Sequence, residues 1–293
     1  MTIIPVEHVV SPGLAKEIEA LKFHRNDPND PIKKDIFEWM LIFPETLCGM
    51  ELSEQIGRFP EKQKILDIGC GPGFTSLYLA QCGHSVYALE PSPLDCEVLS
   101  QNAKKMGLPI TIYQSTAESI DKVPEGGFDL CIFNSSFHHC DDPLKALQNC
   151  FFKLREGGKI LLINEPILKF HRSKKWFYEA LDRIPEKMGH YGGNEHIYYH
   201  WEYRNLLSQS KFIEVKEFMN TRFANPRLYI QNIISKKING VYLNGENKIL
   251  LKFAILVLIK QLFRIAPIAW IMTLILKKLS LLQFHFEASK PYS

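Results

Sequence analysis

The sequence predicts an α/β chain: a doubly wound, mostly parallel seven-stranded sheet with helices on both faces, plus an N-terminal helical cap and an apolar helical C-terminal tail. Two patterns predict it. From Lys64 to about Ser119, short β-branched runs alternate with longer helical stretches, the signature of βαβ units. Each run is also nearly continuous in apolar residues, as strands are when helices cover both faces of a sheet.

In chain order, residues 1–60 form the cap, with helical stretches around Gly13–Phe23 and Ile32–Ile56 separated by the turn-rich Asn26–Pro31. The main domain spans 61–236. Its strands are Lys64–Ile68, Ser85–Glu90, Ile110–Gln114, Phe128–Asn134 and Lys159–Asn164. Helices Phe74–Cys82, Leu94–Met106 and Pro143–Leu154 fill the gaps, and Arg155–Gly158 is a turn after the last. A substrate-side insertion occupies about 166–210, with helices His171–Lys187 and Trp201–Gln209 joined by the Gly-rich Gly189–Asn194. Phe212–Phe218 and Leu228–Ile234 would close the sheet as an antiparallel pair.

Composition removes several function classes. At 293 residues and 46% hydrophobic content the chain can bury a full core. A net charge of +3 with mixed signs gives no electrostatic footprint for nucleic acid. The seven cysteines are odd in number and none are spaced C-x-x-C, so neither a disulfide framework nor a metal site is indicated, and a reducing cytoplasm fits best. The N-terminus lacks a basic region followed by an apolar one, so it does not read as a signal peptide.

The strongest local signal is KILDIGCGPGF, Lys64–Phe74, where a strand runs into Gly69, Gly71 and Gly73 and then into a helix. Glycines suit backbone that must approach a ligand or take positive φ, and the helix N-terminus behind them offers free N–H groups. The arrangement is Rossmann-like, but Phe74 stands where the dinucleotide pattern needs a small residue, and Pro72 stiffens the loop. Glu90 ends the next strand, where an acidic side chain accepts both ribose hydroxyls of an adenosine.

Together ILDIGCGPG, ALEPS, Ala117-Glu118, FDLCIFNSSFHHCDDP and FKLREGGKILLINEP resemble the successive motifs of class I S-adenosylmethionine-dependent methyltransferases over about residues 60–165. The resemblance is nearest to the small-molecule subgroup that includes ubiquinone and menaquinone biosynthesis enzymes. It implies that Asp67, Gly69, Cys70, Gly71 and Gly73 hold the methionine part of S-adenosylmethionine, and Glu90 the ribose. It places Ala117 and Glu118 at the adenine edge, and Asn134 with Ser135 at the amino group and the mouth of the methyl site. Two alternatives stand beside it: a nucleotide-cofactor oxidoreductase, which Phe74 opposes, and a catalytically inert nucleoside-binding scaffold, which the intact Asp67, glycines and Glu90 oppose.

Methyl transfer is an in-line displacement that needs alignment and exclusion of water, and a base only if the acceptor arrives protonated. His138 and His139 follow the fourth predicted strand at its ligand-binding end, so one could take that proton; equally, they could shape the loop before Asp142-Pro143. Glu165, after the fifth strand, suits either a polar acceptor group or neighbouring backbone N–H groups. His196 and Tyr199, in the aromatic segment Tyr191–Trp201, are the next candidates for acceptor contact.

Residues 247–288 form the tail. Over 248–286, Lys248, Lys252, Lys260, Arg264, Lys277 and Lys278 punctuate apolar sequence without an acidic residue, and Ile265–Leu276 is too short to span a bilayer. This suits an anionic membrane surface, making the chain peripheral on the cytoplasmic membrane, or helices packed on the domain or at a homodimer interface. The acceptor is accordingly a small molecule or a lipid-like one.

Overall fold

The computed structural model describes residues 2–26, 47–57, 59, 61–183, 194–219 and 284–292. It divides into two compact units, one of Met1–Leu168, Arg172–Phe218 and Phe284–Ser293, the other of Lys169–His171 and Met219–Gln283. Only Lys169–His171 and Met219 of the second unit are among the described residues. The predicted strand Leu228–Ile234, the Gly-rich Gly189–Gly193 and the basic apolar residues 248–283 lie outside them.

The first unit is an eight-stranded sheet in the order β1-β4-β3-β2-β5-β6-β8-β7. Its strands are β1 (Ile3–Pro5), β2 (Lys64–Ile68), β3 (Ser85–Glu90), β4 (Ile110–Gln114), β5 (Phe128–Asn134), β6 (Leu154–Ile163), β7 (Ile213–Met219) and β8 (Phe284–Ser289). The pairs from β1 to β6 are parallel, and β6 pairs with β8 antiparallel. The order turns around β2, whose neighbours are β3 and β5, and the crevice beyond the carboxyl ends of such a pair is where open α/β sheets bind ligands.

The helices are α1 (Pro12–Asn26), α2 (Leu47–Ile56), α3 (Phe74–Gln81), α4 (Pro93–Met106), α5 (Pro143–Lys153), α6 (Lys174–Asp182) and α7 (His200–Gln209). Their starts are written in the sequence. Ser92 accepts from Asp95 N with Pro93 at the first turn of α4, Asp142 accepts from Lys145 N with Pro143 opening α5, and Ser173 accepts from Trp176 N at α6. Leu77 and Leu79 of α3 and Leu99 and Ala103 of α4 are fully buried in one cluster with Ile65 of β2 and Ala88 of β3. That packing holds the strand ends in fixed register.

Four expectations need correction. Among the described residues the sheet has eight strands, not seven, because Ile3–Pro5 pairs with Ile112–Gln114 at the sheet edge and Phe284–Ser289 pairs with β6, while the predicted Leu228–Ile234 lies outside them. An edge tolerates Pro5, whose missing N–H would break an interior ladder. The cap is therefore not wholly helical. The tail is not helical to its end: Phe284–Ser289 is a strand beside β6, with His285, Phe286, Glu287 and Ala288 all buried. The basic apolar stretch is thus internal, flanked by β7 and β8, and β8 stands beside β7. Finally, β6 starts at Leu154, so Arg155–Gly158 bulges within a strand; the register jumps from Phe128–Leu154 to Leu130–Lys159, and Arg155 Nε holds Asp129 Oδ1 at 2.5 Å.

Candidate functional site

The three glycines of the loop after β2 have different jobs. All have positive φ: +66° at Gly69, +52° at Gly71 and +96° at Gly73. A Cβ on Gly69 would stand 2.6 Å from Ser136 Cβ, and one on Gly73 2.3 Å from Leu99 Cδ1, so those two are glycine for packing. A Cβ on Gly71 would meet nothing within 4 Å. Gly71 alone borders open space, and it is where a ligand can approach backbone.

Two buried acids flank this loop. Asp67, at the end of β2, is buried and accepts from Ser76 Oγ at 2.5 Å; burial raises its carboxyl to about 7. Glu90, at the end of β3, accepts from Gly71 N at 2.8 Å and Ser92 N at 2.8 Å. Burial first, then Asp95, pushes Glu90 up to about 8. Cys70 is buried, and burial keeps it a thiol by raising it well above the usual range. After β4, Ala117 is buried in a short 3-10 helix, Ala117–Lys122, and Glu118 Oε1 accepts from Asp142 N at 3.3 Å. The buried Oγ of Ser115, which the sequence did not single out, has no hydrogen-bond partner among the described residues.

The ends of β5 and β6 are tied side by side. Asn134 donates to Thr75 Oγ1 at 3.0 Å and accepts from Asn164 Nδ2 at 2.7 Å. Ser135 has φ 58° and donates through Oγ to Asn164 O at 3.1 Å. Beyond them, Phe137–His139 form a 3-10 turn organised by one carboxylate. Glu165 is 0% exposed and accepts from Ser136 N (3.0 Å), Phe137 N (3.0 Å), His138 N (3.1 Å) and His138 Nδ1 (2.7 Å). Of its two open uses, the structure therefore shows the backbone one.

That carboxylate fixes the imidazole. With Nδ1–H donated to Glu165, the lone pair of His138 is on Nε2, a tautomer assigned from the hydrogen bond. His139 differs: burial, then His138, lowers it to about 3, so it is neutral, and its Nδ1 donates to Asn194 O at 2.7 Å. His196 N donates to His138 O at 2.9 Å, and among the described residues its buried Nε2 has no hydrogen-bond partner. The structure thus brings His138, His139, His196 and Glu165 together. Tyr199 serves an anchor instead: its hydroxyl donates to Arg172 O at 2.6 Å and its ring stacks on Trp201 at 4.3 Å.

The sequence did not point to Glu17 or Asn194. Asn194 Nδ2 donates to Glu17 Oε2 at 2.8 Å across 177 positions of sequence, joining α1 to this cluster. No local spacing could have signalled that contact.

Residues 66–162 match the methyltransferase domain family. A ubiquinone biosynthesis O-methyltransferase of Parvibaculum lavamentivorans is 31% identical over 184 residues, covering 63% of this chain and 64% of its own. The chain therefore spans less than two thirds of that relative's length. Among solved structures, phosphoethanolamine N-methyltransferase 2 of Haemonchus contortus, bound to phosphomonomethylethanolamine and S-adenosylhomocysteine, aligns with TM-score 0.54 at 16% identity over 96% of this chain and 58% of its own. The cyclase SpnF aligns with TM-score 0.54 at 12% identity over 100% of both chains. These neighbours establish the fold, and a cyclase among them means that fold alone does not name the reaction.

Proposed function

We propose that the chain is a class I, S-adenosylmethionine-dependent methyltransferase that methylates a hydroxyl group of a small or lipid-like acceptor at the carboxyl ends of β5 and β6. The observation that carries this reading is the open space at Gly71 beside the buried carboxylate of Glu90. A nucleoside's ribose hydroxyls suit that carboxylate, whose oxygens otherwise hold only two backbone donors at this site. The fit extends to charge: Asp67 and Glu90 are acids in a buried setting, where a cationic ligand is favoured. Nothing in the comparisons supports the oxidoreductase alternative.

When bound, S-adenosylmethionine supplies an electrophilic methyl carbon on a sulfonium. The residues of the chain do the rest. The glycine loop and Glu90 orient the donor, with Ala117 and Glu118 at the adenine edge and Asn134 and Ser135 at the methionine end. His138 Nε2 takes the acceptor's hydroxyl proton, because Glu165 holds its Nδ1–H. His139, neutral and hydrogen-bonded to Asn194, shapes the wall, while the Nε2 of His196, without a hydrogen-bond partner among the described residues, is a polar atom that suits the acceptor. Oxygen is preferred as the acceptor atom because the relative at 31% identity is an O-methyltransferase.

The test is transfer of a labelled methyl group by the full chain to lipid-like acceptors that carry either a hydroxyl or an amine. His138→Ala should keep cofactor affinity and lose about 100-fold in turnover, the scale of a lost general base. A chain that binds the donor yet labels no hydroxyl or amine acceptor is a binding module instead.

A membrane surface is the second part of the reading. Six cations without an anion in 248–283 suit an anionic leaflet, where each contributes about 1 kcal/mol. Among the described residues no helix is long and apolar enough to cross a membrane. Flotation with anionic liposomes at low salt tests this, with residues 220–283 replaced by a long flexible linker so that β8 is kept. Equal flotation of both chains, or none by the full chain, removes the idea.

A further inference from the structure

Helix α1 reaches the site through one carboxylate. Asn194 Nδ2 bridges Glu17 Oε2 at 2.8 Å and His139 O at 3.2 Å. Glu17 Oε1 lies 3.5 Å from His139 Nδ1, and the Glu17 side chain is only 13% exposed. Close approach of the helix depends on Gly13, where a Cβ would stand 2.8 Å from Asn194 Oδ1.

The surroundings of Glu17 are acidic. The charges of His138, Asp141 and Glu195 act on it, and it acts in turn on Glu90. Glu17 thus lies within electrostatic reach of both the ribose-side carboxylate and the imidazole proposed as base. Among the described residues its ion-pair contact is with His139, which is neutral, and no lysine or arginine pairs with it. Among the described residues the Glu17 carboxylate has no resident cation, and a cationic ligand beside it would favour its charged form over the protonated one.

We propose that Glu17 is a positioning residue that reads the sulfonium charge of the methyl donor, so that the site holds the charged donor in preference to its neutral-sulfur product. The proposal rests on the methyltransferase reading. Donor and product differ at sulfur by one methyl group and one positive charge. In the transfer the carbon–sulfur bond breaks with its electron pair left on sulfur, the acceptor oxygen–methyl bond forms, and the acceptor's proton goes to His138 Nε2. The charge that Glu17 faces disappears in that step, and the product loses its attraction. Burial raises the Glu17 carboxyl to about 7, so it takes up a proton near neutrality when no cation opposes it.

Calorimetric titration of the full chain with S-adenosylmethionine and with S-adenosylhomocysteine tests this without any acceptor. The readout is the ratio of the two dissociation constants. Glu17→Gln keeps an oxygen for Asn194 and removes only the charge, so it should lower the preference for the sulfonium about tenfold at pH 8. Glu17→Asp, which retains the charge, should keep most of it. In the unaltered chain the preference should shrink as pH falls from 8 to 6, and in Glu17→Gln that dependence should weaken. If both ligands bind and Glu17→Gln leaves the ratio and its pH dependence unchanged, Glu17 only docks α1 and the proposal is wrong. If the unaltered chain binds neither ligand, the methyltransferase reading falls and this proposal with it.

Discussion

Replacing Glu165 by Gln separates the scaffold of the site from its chemistry. Glu165 Oε1 accepts from Ser136 N and Phe137 N, and Oε2 from His138 N and His138 Nδ1. An amide keeps one carbonyl oxygen for the first pair and turns an NH2 group toward the second. The backbone N–H of His138 then faces a donor, and a hydrogen bond to a charged group, about 1.5–3 kcal/mol, is lost. At about 2–4 °C per kcal/mol, melting should fall by roughly 3–12 °C. The ring can still pair with the amide, but only with its lone pair on Nδ1 and its proton on Nε2. That tautomer cannot accept the acceptor's proton, and a comparable tautomer error in a serine protease costs about 10⁴-fold in turnover. Calorimetry, a thermal melt and a turnover assay on the same preparation should therefore show near-normal cofactor affinity, lower melting and turnover reduced at least about 100-fold. A folded Glu165→Gln enzyme with normal turnover refutes the assignment of His138 Nε2 as base.

Other consequences concern the cofactor side and the sheet. Gly73→Ala, with its Cβ at 2.3 Å from Leu99 Cδ1, should cost about 2–4 kcal/mol in a thermal melt, whereas Gly71→Ala, free of contacts, should cost about 1 kcal/mol and instead weaken S-adenosylmethionine in calorimetry. Glu90→Ala should weaken the cofactor by about 1.5–3 kcal/mol, and an unchanged dissociation constant would place the ribose elsewhere. Asp67, Glu17 and Glu90 have carboxyls raised to about 7, 7 and 8, so the ligand-free chain should lose their stabilisation as pH rises from about 4 through 8. Cationic S-adenosylmethionine favours their charged forms, so its affinity should rise with pH between 6 and 8; a flat titration would show that these carboxyls do not face it. Deleting Phe284–Ser293 removes the strand that pairs with β6, so cooperative unfolding should be lost.

What could be read beforehand follows from how far apart the interacting residues are. Strands β2 to β5 are legible within their observed bounds because each is a largely apolar run with a glycine turn at one end, and the caps Ser92 and Asp142 act within three residues. The loop was recognisable, but its glycines were not separable: Gly69 and Gly73 answer to Ser136 and Leu99, distant in sequence, and only Gly71 faces open space. Ile3–Pro5 carries too few residues for a pattern, and its pairing with Ile112–Gln114 is wholly non-local. Phe284–Ser289 followed a long apolar stretch whose periodicity overran it, although Phe284, Phe286 and Ala288 alternate with His285, Glu287 and Ser289 as a strand does. In the site, His138 and Glu165 were candidates from their places at strand ends, but their 2.7 Å contact depends on β5 and β6 being neighbours.

We propose that the space beside Gly71 and Glu90 receives S-adenosylmethionine. Isothermal calorimetry on the full chain and on Gly71→Arg, with S-adenosylmethionine and NAD titrated separately, tests it most directly. One S-adenosylmethionine should bind per chain, NAD should show no saturable binding, and a folded Gly71→Arg variant should lose the S-adenosylmethionine isotherm. Equal S-adenosylmethionine affinity in that variant, or saturable binding of NAD in place of S-adenosylmethionine by the unaltered chain, would contradict it.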